Sequence, residues 1–182
     1  IAPAGTAVRR GVGESVEQLI ALICDELVAR GHHVTLFATG DSETTGELRY
    51  YFALGYEHLE DLWDWQFTEY MHVGYAYSQA DDFDVIHCHS YHFGLPFVPF
   101  VRTPNVHTHH VEMEPEVIAA YRRMTQVHLV AVSGFHAKVY ANRPNVELIP
   151  HGIETAAFPL GEKGGDYLLF LGRMLEDKGP LQ

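Results

Sequence analysis

In the stretch "ESVEQLIALICDELVARGHHVTLFATG" the hydrophobic period changes halfway along. Val16, Leu19, Ile20, Ile23, Cys24, Leu27 and Val28 recur at the three-and-four spacing of one helix face. Gly31 then stands where a left-handed helix cap is needed, and "HVTLFA" supplies a β-rich run. This predicts a helix feeding a buried strand. Further apolar runs follow at "FDVIHC", "NVHTH", "VHLVAVS" and "NVELIP", with helical patterns at about 57–80, 116–125 and 134–141 between and after them. Strands alternating with helices predict an α/β fold with a doubly wound parallel sheet. The opening "IAP" reads as the end of a strand that such a sheet buries on both faces, so either residues precede Ile1 or another segment fills that slot. Near the other end, 167–171 predicts one more strand, running into Gly172-Arg173 and then Lys178-Gly179.

Composition narrows this picture. The chain has 182 residues, 47% hydrophobic and 20% charged, which is enough for one well-cored domain or a domain and part of another. A net charge of −12, with no basic run, argues against a nucleic-acid partner. No apolar stretch reaches the roughly 18 residues of a membrane-spanning helix, and the amino end lacks the apolar core of a signal peptide. A cytoplasmic, soluble protein is expected. Cys24 and Cys88 lie in apolar segments and read as buried free thiols.

In doubly wound sheets ligands bind beyond the carboxyl ends of the strands. The residues there are Gly40-Asp41-Ser42, His89-Ser90-Tyr91, His109-His110, Ser133-Gly134 and His151-Gly152. "RRGVGESVEQ" sets Gly11 and Gly13 between a strand end and a helix start, where backbone N–H groups can receive a phosphate. Val16 stands where a dinucleotide fingerprint has its third Gly, so a flexible loop is an equal reading. His87 and His89 share a face within one strand, as do His107 and His109 within another, so two strands could gather four imidazoles. With no Cys or carboxylate at ligand spacing, no metal is expected, and these histidines are expected to be core or rim groups. Ser133 lacks the G-x-S-x-G setting of a hydrolase nucleophile and fits a helix N-cap. Arg173 and Lys178 are the cations best placed to neutralise a diphosphate, the alternative being two solvated surface charges. The region 50–77, with Tyr50, Tyr51, Phe52, Trp63, Trp65, Tyr70, Tyr75 and Tyr77, is rich in aromatics that suit either a sugar-stacking surface or a helix packed on the sheet, the latter being expected.

Six ordered pieces, "LVARGHHVTLFATGDS", "FDVIHCHS", "TPNVHTHH", "VAVS", "LIPHGIETAAFP" and "YLLFLGRMLEDKG", resemble glycosyltransferase family 4 of the GT-B superfamily over nearly the whole chain. The resemblance implies two Rossmann-like domains, the first for the acceptor and the second for the nucleotide sugar. It divides the chain into an acceptor-side domain 1–152, a linker 153–165, and the first strand and turn of an incomplete donor domain at 166–182. It further implies a retaining, metal-independent transferase without a cofactor, whose substrates are a nucleotide sugar and an acceptor. On the family's pattern, Arg173 and Lys178 contact the donor diphosphate, as Gly11 and Gly13 also could. His110 lies near the reacting sugar, and His87, His89, Glu17 and Ser133 belong to the acceptor side. The family's loop usually reads G-G-x-E, and here the register gives Glu14-Ser15-Val16-Glu17. His151 stands where Asn is usual. Because the family's later acidic E-x7-E segment follows the "GR…KG" region, the chain is expected to be inactive alone. The rival readings are one subunit of a split transferase with a complementary donor-domain chain, a non-catalytic sugar- or protein-binding module, or a nucleotide-dependent oxidoreductase. A homo-oligomer is also expected of an incomplete fold.

Overall fold

The structure is a computed structural model, and it describes residues 1–11, 15–60, 64–111, 113–158, 161, 164–172, 174 and 176–179. The main elements run α1 (Ser15–Ala29), β1 (Thr35–Phe37), β2 (Glu47–Arg49), α2 (Trp65–Tyr77), β3 (Ile86–Cys88), β4 (Asn105–His109), α3 (Pro115–Arg123), β5 (Val127–Ala131), α4 (Gly134–Val139) and β6 (Val146–Leu148). Two compact units are present, Ile1–Gly152 and Ile153–Gln182.

All ladders in the first unit are parallel, in the orders β1-β2 and β3-β4-β5-β6. Ile1 and Ala2 lie between the two ladders. Ala2 N–H donates to the Phe37 carbonyl at 2.9 Å, while Ile1 N donates to His87 O at 2.6 Å and His89 N–H donates to Ile1 O at 2.9 Å. Donating to residue 87 and accepting from residue 89 is the slanted pattern of a parallel pair. The first two residues therefore occupy the central slot themselves. Ala2 in that slot is fully buried, as is Ala4 just beyond it, while Ile1 is half-buried. The resulting order β2, β1, residues 1–2, β3, β4, β5, β6 is that of a Rossmann-like doubly wound sheet, whose winding reverses between residues 1–2 and β3.

Each element follows from local chemistry. α1 ends in a Schellman motif: Gly31 has φ 87°, its N–H bonds Val28 O at 2.9 Å, and His32 N–H bonds Leu27 O at 3.1 Å. α1 buries Ile20, Ala21 and Cys24 against Ala2, Leu36 and Ala38. The helix expected at 57–80 is shorter, because Asp64 caps a new start by accepting from the N–H groups of Gln66 (2.8 Å) and Phe67. Single 3-10 turns, Tyr56–His58 and Ala80–Asp82, stand on either side of it. A larger core joins Val73, Phe93, Tyr121, Val127, Leu129 and Tyr140. Arg143, buried beneath it, donates to the carbonyls of Tyr121, Met124, Val127, Pro144 and Asn145 at 2.6 to 3.2 Å. One guanidinium thus closes the end of α3 and both approaches to the β5-β6 pair.

In the second unit, the strand expected at 167–171 is absent. A strand exists only by pairing, and no described segment pairs with this one. Its Leu168 and Leu171 side chains are 103% and 89% exposed. The aromatic region is also less buried than expected: Tyr77 is in the core, but Tyr50, Tyr51, Trp65 and Tyr70 are 38% to 51% exposed. Trp63 lies outside the described residues. Among the described residues no helix is long and apolar enough to cross a membrane.

Candidate functional site

The register of β3 on β4 decides what the histidines can do. Cys88 faces His107 across the ladder and His87 faces Val106. Directly paired residues point to the same side of a sheet, so His87 and His89 share one face with Thr108, while His107 and His109 lie on the other. The four imidazoles do not converge, and the possibility of a four-histidine cluster is corrected by a parity of one residue. Among the described residues no group of three or more His, Cys, Asp or Glu could hold a metal ion.

On the inner face, His107 is fully buried between the Tyr121 hydroxyl (2.8 Å) and the Tyr77 hydroxyl (3.1 Å), and burial pushes its pKa down to about 3. It is a core group. His109 makes a 3.2 Å bond through Nδ1 to the Tyr140 hydroxyl. Among the described residues its Nε2 has no partner, and the ring walls a pocket of about 30 Å³ beside Phe135 and His136, room for a water molecule.

The other face carries the arrangement with chemical promise. His89 Nδ1 lies 2.9 Å from His110 Nε2, and His110 Nδ1 lies 3.0 Å from His151 Nε2. The chain of rings runs from buried His89 to exposed His151. The His87 ring lies beside His89 with centroids 4.0 Å apart and planes tilted by 36°, and its Nε2 is fixed by Thr108 Oγ1 at 2.7 Å. Burial holds His87 and His110 down to about 4 and His89 well below the usual imidazole value, with neighbouring histidines adding to the effect. These groups are therefore neutral at pH 7. A neutral ring carries one N–H, so each contact has one donor and one acceptor and the tautomers of all three rings are coupled. Accepting a proton at one end and releasing one at the other reverses every tautomer. The chain can thus orient His110 and carry a proton between the sheet edge and solvent.

Beside this edge, at the point where the winding reverses, opens a cleft of about 500 Å³. Pro3, the start of α2 (Trp65, Gln66, Glu69), the loop Ser90 to Phe93 and the start of α3 (Glu114, Val117) form most of its wall. Glu69 is 2% exposed and accepts from Ala4 N–H (2.8 Å), Ser90 Oγ (2.6 Å) and the Tyr56 hydroxyl. Burial pushes its pKa up, against those hydrogen bonds. It also pushes the Tyr56 phenol up, helped by the nearby charges of Glu69 and, more weakly, Glu17. Tyr91 sits in the left-handed region at φ 48°, an uncommon conformation for a bulky residue, and its hydroxyl bonds Glu114 at 3.0 and 3.2 Å.

His87, His89 and His110 thus come together as one group. Glu17 is buried in the first turn of α1, and Ser133 caps α4, accepting from His136 N–H at 3.2 Å. Gly11 is exposed at φ 69°. Lys178 lies exposed in a 3-10 turn of the second unit, while Gly13 and Arg173 lie outside the described residues. Thr108 and Glu69 are site residues that the sequence does not announce, whereas His151 stands among the strand-end residues and Trp65 in the aromatic region already singled out. His151 had a signal, since it directly follows the β6 run and replaces the family's usual Asn. Glu69, four residues after Trp65 on one helix, did not stand out among its acidic neighbours.

The profile described as Glycosyltransferase Family 4 matches residues 16–157. No curated protein sequence matches the chain.

Proposed function

The chain belongs to glycosyltransferase family 4, and on that premise we propose that it is the acceptor-binding part of a retaining GT-B transferase that moves a sugar from a nucleotide sugar to an acceptor hydroxyl. The observation that carries the reading is the His89–His110–His151 chain at the carboxyl edge of the sheet, next to the cleft where the winding reverses. The acceptor lies in that cleft. His110, held from both sides by His89 and His151, is near the reacting sugar as the middle ring of a relay that takes up the released proton at one end and gives one up at the other. Arg173 and Lys178 neutralise the departing nucleoside diphosphate. The run 167–171 becomes the first strand of the donor half when further backbone pairs with it, which suits its exposed leucines. No metal or cofactor takes part in this reading.

The test is nucleoside diphosphate release by the protein as purified from its source, over a panel of nucleotide sugars and acceptors. Acceptor-dependent release that falls about 10²-fold or more in His110→Ala supports the proposal. Release from no donor, or release indifferent to His110→Ala, overturns it.

A further inference from the structure

The cleft beside the histidine edge has a chemical bias of its own. Its walls come almost entirely from residues 50–121, a stretch with eleven Asp and Glu and one basic residue, Arg102. Among the described residues that line it, none is Lys or Arg, and two are glutamates. Glu69 has its oxygens turned to Ala4, Ser90 and Tyr56 inside the protein. Glu114 is at the surface, its carboxylate lowered in pKa by hydrogen bonding, including the Tyr91 hydroxyl. His92, the lining imidazole, is lowered in pKa by burial and adds no positive charge at pH 7. A phosphate or carboxylate entering this space would meet negative charge and no counter-charge, in a concavity that strengthens the field.

The apolar part of the wall is aromatic and held in place. Trp65 is 44% exposed, with its ring edge-on to Phe93 at 5.7 Å, and Tyr91 and Tyr56 are tied down through their hydroxyls. A half-exposed, immobilised indole offers a flat apolar face at little entropic cost, and the C–H face of a pyranose ring is its natural complement. Gln66, Glu114 and the Tyr91 hydroxyl supply the few polar groups that orient hydroxyls.

We infer that the cleft takes a sugar ring without any anionic group, stacked on Trp65 with its hydroxyls toward Glu114 and Tyr91. This rests on the transferase reading for the cleft's role as acceptor site, and it selects among acceptors: phosphorylated and carboxylated sugars are excluded by charge.

The test uses fluorescence titration of the full chain in a Trp63→Phe background, where Trp65 is the sole tryptophan reporter. The probes are the methyl glycosides of glucose, mannose and N-acetylglucosamine, and the 6-phosphates of the same sugars. At least one neutral glycoside should quench saturably, with its phosphate about tenfold weaker, or about 1.4 kcal/mol. Glu114→Gln removes both a contact to the neutral sugar and the charge that repels its phosphate, so it should weaken the neutral glycoside more than the phosphate and narrow that gap to about threefold. Binding of a phosphate as tightly as its neutral parent, or no binding by any probe, overturns the inference. The two readings fail separately. An active transferase whose cleft prefers phosphates refutes this inference alone, whereas neutral sugars bound by a protein that turns over no donor refute the transferase reading alone.

Discussion

Acidification should unfold this protein in a range where most small domains are still stable. Five histidines, His72, His87, His107, His109 and His110, have folded pKa values pushed by burial down to about 3 or 4. In the unfolded chain each returns to about 6.5. Because the folded value is the lower one, the unfolded state binds more protons as pH falls, and the stability present above about pH 6.5 is lost on the way down. For one group held at about 4, the loss at pH 5 is about 2 kcal/mol. Five such groups lose on the order of 10 kcal/mol, comparable with the 5–15 kcal/mol that a domain possesses. Unfolding near pH 5 is therefore expected, followed by circular dichroism, with stability at pH 7.5 and pH 5.5 compared by urea titration. His72 serves as the control. It is fully buried, and its Nε2 bonds the Ala2 carbonyl at 3.1 Å, a role that the amide of glutamine can also fill. His72→Gln should remove about 1 kcal/mol of the pH 7.5-to-5.5 difference. A stability unchanged to within about 1 kcal/mol between pH 7.5 and pH 5 would refute the reasoning.

Other substitutions test the scaffold. Glu69→Ala strands buried Ala4 N–H and the Ser90 hydroxyl and should cost about 3 to 5 kcal/mol, while Glu69→Gln, which keeps one acceptor, should cost about 1 to 2, both read by urea denaturation. Arg143→Lys cannot reach five carbonyls at once, and a loss of about 2 to 4 kcal/mol is expected from thermal melts. At Gly94 an added Cβ would meet Cys88 Sγ at 2.9 Å and His107 Cε1 at 3.0 Å, so Gly94→Ala should lower stability by about 1 to 3 kcal/mol.

The helices and strands were largely legible because their signals are local. The spacing from Val16 to Val28, Gly31 after it, and the β-branched run of β5 each dictate a conformation within a few residues. What could not be read was parity across the sheet. Whether His107 faces His87 depends on which residues pair across the β3-β4 ladder, and a shift of one position would put all four imidazoles on one face. The cleft escaped for a related reason. Its walls bring Pro3, Trp65, Ser90 and Glu114 together from four segments, and no spacing in the sequence records that approach. The opening residues were legible as part of a buried strand, and the place of Ile1 and Ala2 in the sheet is visible only in their backbone bonds to Phe37, His87 and His89. The run 167–171 shows the limit of composition from the other side: it is β-rich, but no segment among the described residues pairs with it, and without pairing there is no ladder.

The most direct test of the transferase reading is the anomeric configuration of the product, determined by proton NMR on the glycoside formed from a nucleotide sugar of known configuration. The reading requires the configuration of the donor to be retained in the product, and a product of inverted configuration would contradict it.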